Sequence, residues 1–386
     1  CSSTTGNWIV SDVMRGASET DTARLYANLS DAEDPAGAKY VCPTSTGFAI
    51  NNFPAAVRTY IYIAIRRGPM KVPTVGTSVF SPNAYTTNAS TPTTVTTNFP
   101  VDLNLYKFRT QTYGTYASDR LRGTTTASSN FMITSSTNAE GAGSQGWGID
   151  SNTGYVDAWA YQFIGTAENV VSWNFRRAPS FFDEVCYNGD GTDNRAITHN
   201  LTVAPEFIIA KRRDGIGNWV CYCQYITGGA SSRIYLSTNA AYAASVNDWA
   251  ATNPTSTNFY ISSTGSAINN SGNTYVSYLF ATCAGVSKVG SYTGNGTTQT
   301  IDCGLGADGA RFVLIKRTDS TGDWYVYDTA RGMTVLTDPY LLLNSTAAET
   351  ATLGSVTTVS TGFALNSTIL AAINVNGGTY IFLAIA

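Results

Sequence analysis

The stretch Thr274-Tyr275-Val276-Ser277-Tyr278-Leu279-Phe280 decides the fold, because the chain writes it four times. Its other copies begin Thr59-Tyr60-Ile61-Tyr62, Asn169-Val170-Val171-Ser172 and Thr379-Tyr380-Ile381-Phe382, at spacings of 110, 105 and 105 residues. Further landmarks keep the same register. Phe207-Ile208-Ile209-Ala210-Lys211-Arg212 matches Phe312-Val313-Leu314-Ile315-Lys316-Arg317, with Leu103-Asn104-Leu105-Tyr106-Lys107 as a weaker copy. Tyr187-Asn188-Gly189-Asp190-Gly191 matches Tyr292-Thr293-Gly294-Asn295-Gly296, and Thr46-Gly47-Phe48-Ala49-Ile50-Asn51 matches Thr361-Gly362-Phe363-Ala364-Leu365-Asn366. Self-similarity at a fixed period marks a repeat architecture.

Each full unit holds short β-prone runs separated by Gly, Asn, Asp and Thr turns. In the third unit they fall near Val185–Tyr187, Ala196–His199, Phe207–Lys211, Trp219–Cys223, Ile234–Leu236, Phe259–Ile261 and Tyr275–Phe280. Evenly spaced strands with polar turns predict an all-β chain of tandem antiparallel sandwich units, jelly-roll or lectin-like, of about 105 residues each. The units are read as 1–72, 73–180, 181–286 and 287–386. Short helical turns are compatible with Ala240–Ser245 and Ala347–Thr350. The first unit starts at its fourth strand, so the natural chain is expected to extend upstream of Cys1, or another chain to supply the missing strands. Starting on Cys rather than Met, it reads as a processed product or part of a longer chain.

Composition agrees and excludes several classes. Only 13% of the 386 residues are charged, about half the usual fraction of roughly 25%. The chain carries 54 Thr and 23 Tyr, but 7 Glu and 6 Lys, which disfavours a helical bundle. A net charge of −3 argues against a nucleic-acid surface. No apolar run approaches the roughly 18 residues needed to span a bilayer, so no membrane insertion is expected. The seven cysteines have no CxxC spacing and read as mostly buried free thiols.

Few residues carry candidate chemistry. An Asp-x-x-Arg-Gly block recurs as Asp12/Arg15, Asp119/Arg122 and Asp328/Arg331, and the third unit has lost it. A carboxylate–guanidinium pair could hold a sugar. Recurrence across divergent units favours a turn pin instead, with Arg forked onto the carboxylate or a carbonyl and Gly at positive φ. Arg66, Arg67 and Pro69, and then Arg176, Arg177 and Pro179, follow the last strand of a unit. They read as stiffened linkers rather than as a site for anionic glycans. The run Asn188 to Asp193 offers oxygen ligands without the EF-hand pattern, so it reads as a turn. His199 is the single histidine, which excludes a multi-His metal site, and no motif supplies it with a nucleophile. No catalytic residue, metal or cofactor is expected.

The blocks Ile63-Ala64-Ile65-Arg66-Arg67-Gly68-Pro69-Met70-Lys71, Arg176 to Asp183, Lys288 to Gly296 and Phe312 to Gly332 resemble a repeat module of tailed-bacteriophage virion proteins. The resemblance covers essentially the whole chain. It implies a virion structural protein, a tail fibre or tail-associated appendage with lectin-like modules, and no catalytic residues. It implies a homo-oligomer, a trimer being the usual fibre solution, joined to other virion proteins through its upstream part. A charge-poor surface rich in Tyr, Trp, Asn and Thr suits host-surface glycans. The alternatives are a lattice, decoration or filament protein without a receptor, and a glycan depolymerase.

Overall fold

The computed structural model describes residues 7–12, 17, 24–34, 41–44, 47–50, 59–65, 71–123, 129–143, 146–149, 151–158, 166–263, 267–366 and 370–386. These residues form antiparallel sheets. The helical elements among them are single 3-10 turns such as Gly76–Ser78, and none is long and apolar enough to cross a membrane.

The second, third and fourth units each pair a large sheet with a small one. In the third, the large sheet runs in the order Phe182–Asn188, Thr274–Phe280, Phe207–Arg212, Val220–Cys223, Ser232–Tyr235, Ala243–Ala244. The small sheet pairs Arg195–Thr198 with Asn258–Ile261. In the fourth, the order Ser287–Thr293, Thr379–Ile385, Phe312–Arg317, Trp324–Asp328, Leu341–Leu342 repeats this plan. In the second, Phe80–Thr86, Asn169–Phe175, Leu103–Phe108 and Tyr116–Asp119 occupy the corresponding places.

The closing strand explains why its sequence is apolar on both faces. Tyr275 and Leu279 point into the core between the two sheets of the third unit. Val276, Tyr278 and Phe280 point the other way, into a second core. That second core belongs to three units at once. Phe80 packs on Phe312 with ring centroids 5.2 Å apart, Phe175 on Phe280 at 5.7 Å, and Phe207 on Trp324 at 6.1 Å. The large sheets thus turn their outer faces inward, and the three units close into a ring around shared aromatic packing. Buried aromatic pairs at such distances contribute about 0.5–1.5 kcal/mol beyond area burial. Backbone hydrogen bonds seal the seams, one of them at the equivalent place in all three. Glu140 N–H donates to Arg213 O (2.7 Å), Tyr242 N–H to Thr318 O (2.9 Å) and Glu349 N–H to Arg109 O (2.7 Å).

Two expectations change. No helical turn forms at Ala240–Ser245. Ala243–Ala244 is instead an edge strand on Ser232–Arg233, and Tyr242 and Ser245 donate to backbone carbonyls on either side. Ala347–Thr350 is likewise not helical, and Thr350 bridges Tyr340. In the first unit, Ile9–Val10 pairs with Leu25–Tyr26 and Val41–Pro43 with Phe48–Ile50. Its closing block forms no strand. Tyr60 makes an isolated bridge, and Ile61, Ile63 and Ile65 stand exposed. In the other units this strand lies between two neighbours, and no such pair flanks the block among the described residues of the first unit.

Candidate functional site

The seams between units hold about half of the buried charged side chains, and register identifies the equivalent positions. Leu103 pairs with Asp119, Phe207 with Cys223 and Phe312 with Asp328. Asp119, Cys223 and Asp328 therefore occupy one place in three units.

At the seam of the second and third units, Arg122 and Asp119 form an ion pair with neither side chain exposed (Nε to Oδ2, 2.5 Å). Arg122 also donates to Ala117 O at 2.8 Å, which pins the turn, and Gly123 follows at φ 86°. The third unit completes the cluster: Tyr278 O–H donates to Asp119 Oδ2 at 2.6 Å. Glu140 joins Arg122 (2.9 Å) to Arg213 of the third unit (3.0 Å).

The seam of the fourth and second units repeats this arrangement. Arg331 pairs with Asp328 at 2.7 Å and donates to Val326 O at 3.0 Å. Here the neighbour's donor is indole: Trp173 Nε1–H reaches Asp328 Oδ2 at 2.8 Å, and Arg331 lies over the Trp173 ring at 5.6 Å. Glu349 joins Arg331 (3.0 Å) to Arg109 (2.7 Å). The turn pins are thus also clamps between units. Of the first-unit pair, Asp12 accepts from Ala17 N–H through its carbonyl (3.1 Å), and Arg15 lies outside the described residues.

The third seam has no such cluster. Cys223 takes the place of the aspartate, and Ile226, Tyr242 and Thr318 stand where the others have Arg, Glu and Arg. The donor changes with them. Pro82, Glu184 and Val289 pair with Trp173, Tyr278 and Leu383 in turn. Leu383 thus faces the thiol seam, and Cys223 and Leu383 share the apolar core with Ile226. Burial pushes the Cys223 thiol up to about 12.

One contact is common to all three seams. Lys107 Nζ donates to Ser345 O (2.7 Å), Lys211 to Thr137 O (3.4 Å) and Lys316 to Asn239 O (3.1 Å), each across a seam. Burial lowers each lysine to about 8. An ammonium is a compact donor that can satisfy several carbonyls at once. Tryptophan adds to two seams: Trp219 Nε1–H donates to Ile133 O and Trp324 Nε1–H to Tyr235 O, both at 3.0 Å.

Glu184 is the exception. It stands where the other units have Pro82 and Val289, fully buried, with neither carboxylate oxygen hydrogen-bonded. Burial raises it well above the usual carboxylate range, the charge of Asp119 pushes it further, and Arg177 opposes.

The remaining candidates are spent locally. Arg177 Nε binds Asp183 (2.8 Å) and its N–H binds Asp102 (2.7 Å), which ties the second unit to the third. Arg176 N–H donates to Val79 O at 2.8 Å, and Pro179 is half-buried in a tight turn closed by Ala178 and Phe182. Arg66, Arg67 and Pro69 lie outside the described residues. His199 donates from Nε2 to Thr255 O (3.1 Å) and accepts Leu201 N–H at Nδ1 (3.2 Å); burial lowers its pKa. Asp190 accepts from Thr192 N–H and pairs with Arg195 at 3.1 Å, the geometry of a turn. Among the described residues no cluster of three or more His, Cys, Asp or Glu side chains could hold a metal ion.

Sequence reasoning found the Asp-x-x-Arg-Gly pairs but not their partners. Tyr278 lies 159 residues from Asp119, and Trp173 lies 155 residues from Asp328. The matched loss of the pair and its donor in the third seam was the available signal. Residues 76–386 match a family described as a domain of unknown function (DUF7483). No curated protein matches the chain.

Proposed function

We propose, for a chain that belongs to the DUF7483 family, a structural role on a bacteriophage particle: a fibre or tail appendage that contributes to attachment to host-surface glycans. The observation that carries this reading is the closed ring of three sandwich units. Each unit spends the outer face of its large sheet on its neighbours, and each seam is fixed by a buried lysine and by either an ion-pair cluster or close apolar packing. A body built this way keeps its shape without a cofactor. It leaves loops and small sheets for outside partners. Scarce charge on a Thr- and Tyr-rich background, and the resemblance of the repeat blocks to virion modules, support the same reading.

In this reading the chain is not an enzyme. It assembles as a homo-oligomer, with a trimer favoured, at the surface of the virion, and the upstream part joins other virion proteins. Weak contacts repeated over many copies give the avidity. Two measurements test it. Gold-labelled antibody against the chain should mark the tail or its fibres on intact particles, and the purified chain should compete with phage for adsorption. Label spread as a lattice over the particle body, without competition, would replace this reading by the receptor-free lattice protein. Hydrolysis of host polysaccharide by the purified chain would replace it by the depolymerase.

A further inference from the structure

The third unit carries a groove of about 360 Å³. Pro205, Tyr222, Gln224, Gly229, Asn253 and Pro254 line it, and none of them is charged. Its size falls at the lower end of the roughly 300–1,000 Å³ of small-molecule sites. We infer that this groove binds a neutral saccharide unit. The inference rests on the glycan-attachment reading and gives it an address.

Four observations carry it. The Tyr222 side chain is buried against Trp249, with ring centroids 5.9 Å apart, and its hydroxyl makes no hydrogen bond among the described residues. Register places Ser118 and Tyr327 at the equivalent positions, and the Tyr327 hydroxyl is taken by Ser355. Trp249 is 1% exposed, and its Nε1–H has no partner. Buried indole N–H groups are normally satisfied, so an unused donor behind the Tyr222 ring is unusual. The amides are placed for polyol chemistry. Glu206 holds the Gln224 side-chain nitrogen at 2.7 Å, and Asn253 makes no side-chain hydrogen bond among the described residues.

The fourth observation is backbone strain. Thr202, Ala250 and Ala251 have φ of 68°, 53° and 49°. They lie two or three residues along the chain from the lining residues Ala204 and Asn253. Alanine gains nothing locally from the left-handed region, and such residues cost of order 1 kcal/mol each and gather at binding sites. Half-buried Pro254 offers an apolar face to a pyranose, while the amides of Gln224 and Asn253 and the Tyr222 hydroxyl at the groove floor meet its hydroxyl groups. The absence of charge on the lining excludes sialic or uronic acids as the preferred unit.

Saturation-transfer NMR on the full chain, with a panel of neutral hexose and N-acetylhexosamine di- to tetrasaccharides, tests this. Gly229→Asn is the blocking variant. A Cβ at Gly229 would meet only Asn253 Oδ1, at 3.7 Å, and φ of 50° suits asparagine. The variant should keep the wild-type unfolding midpoint and lose at least tenfold in affinity. Tyr222→Phe, which keeps the ring, should lose about fivefold. Equal binding by wild type and both variants would overturn the groove and leave the attachment reading standing. Failure of the wild-type chain to bind any panel sugar would also overturn the groove. In that case adsorption competition decides separately whether attachment survives.

Discussion

Where the second unit meets the third, Asp119, Arg122, Glu140 and Arg213 form a buried charged chain capped by the Tyr278 hydroxyl. Where the third meets the fourth, the same places hold Cys223, Ile226, Tyr242, Thr318 and Leu383. Both seams keep the lysine-to-carbonyl contact and the backbone bond that seals the sheet edges. The difference teaches that the ring does not need the ion pairs to close. It needs each seam to be internally consistent. A buried pair roughly offsets its own desolvation, and an apolar set of similar volume does as well or better. A mixture of the two would leave a charge without a partner.

The largest effect expected comes from making that mixture. Arg122→Leu leaves Asp119 buried beside Tyr278 and should cost about 3–5 kcal/mol in denaturant unfolding. Ile226→Arg places an unpaired cation in the neutral seam and should cost a comparable amount. If either change costs under about 1 kcal/mol, the two seams are not alternatives of the kind described.

Glu184 comes next. It is a buried carboxyl with no hydrogen bond, and Val289 shows that the equivalent place in the fourth unit takes an aliphatic side chain. Glu184→Val should raise stability by about 1–3 kcal/mol at neutral pH, the usual cost of an unsatisfied buried polar group. The pH dependence follows with its sign. The folded-state pKa is raised, so the folded chain holds a proton that the unfolded chain releases. Stability from this group is complete below the ordinary carboxylate range, and it is lost as pH rises from there through the raised value. The groups facing it are Asp119, Asp102, Asp183 and Arg177. Comparing wild type with Glu184→Val from pH 4 to 8 should show a difference that grows with pH. A constant difference would remove Glu184 from the account.

The smallest effect concerns the thiols. Cys221 and Cys223 are buried on the neutral seam, and burial raises both thiols. They should stay unreactive toward a disulfide reagent at pH 8 until the chain unfolds, while half-buried Cys186 reacts first. Rapid native labelling of Cys223 would show that this seam opens.

The strands were legible because their cues are local. All seven runs expected in the third unit are strands, since β-branched and aromatic residues bounded by Asn, Gly and Asp turns set them within a few residues. What the second apolar face meets was not legible. Val276, Tyr278 and Phe280 reveal that a face is buried, but not that it lies against Phe175 or Asp119 of another unit. The Asp-x-x-Arg-Gly pairs were legible as pins for the same local reason. Their role as clamps depends on Trp173 and Tyr278, two different aromatic rings whose edge donors reach the carboxylate from another unit, far away in sequence. Ala240–Ser245 misled because alanine reports helix propensity, whereas the neighbouring edge strand supplied better backbone partners.

The most direct test is the stability of a chain in which the charged seam is rewritten as the neutral one. The variant carries Asp119→Cys, Arg122→Ile, Glu140→Tyr, Arg213→Thr and Tyr278→Leu together. Its unfolding free energy should fall within about 2 kcal/mol of wild type, although Arg122→Ile alone costs about 3–5 kcal/mol. A loss equal to the sum of the five single substitutions would contradict the account, because it would mean that the seams are collections of separate contacts rather than interchangeable sets.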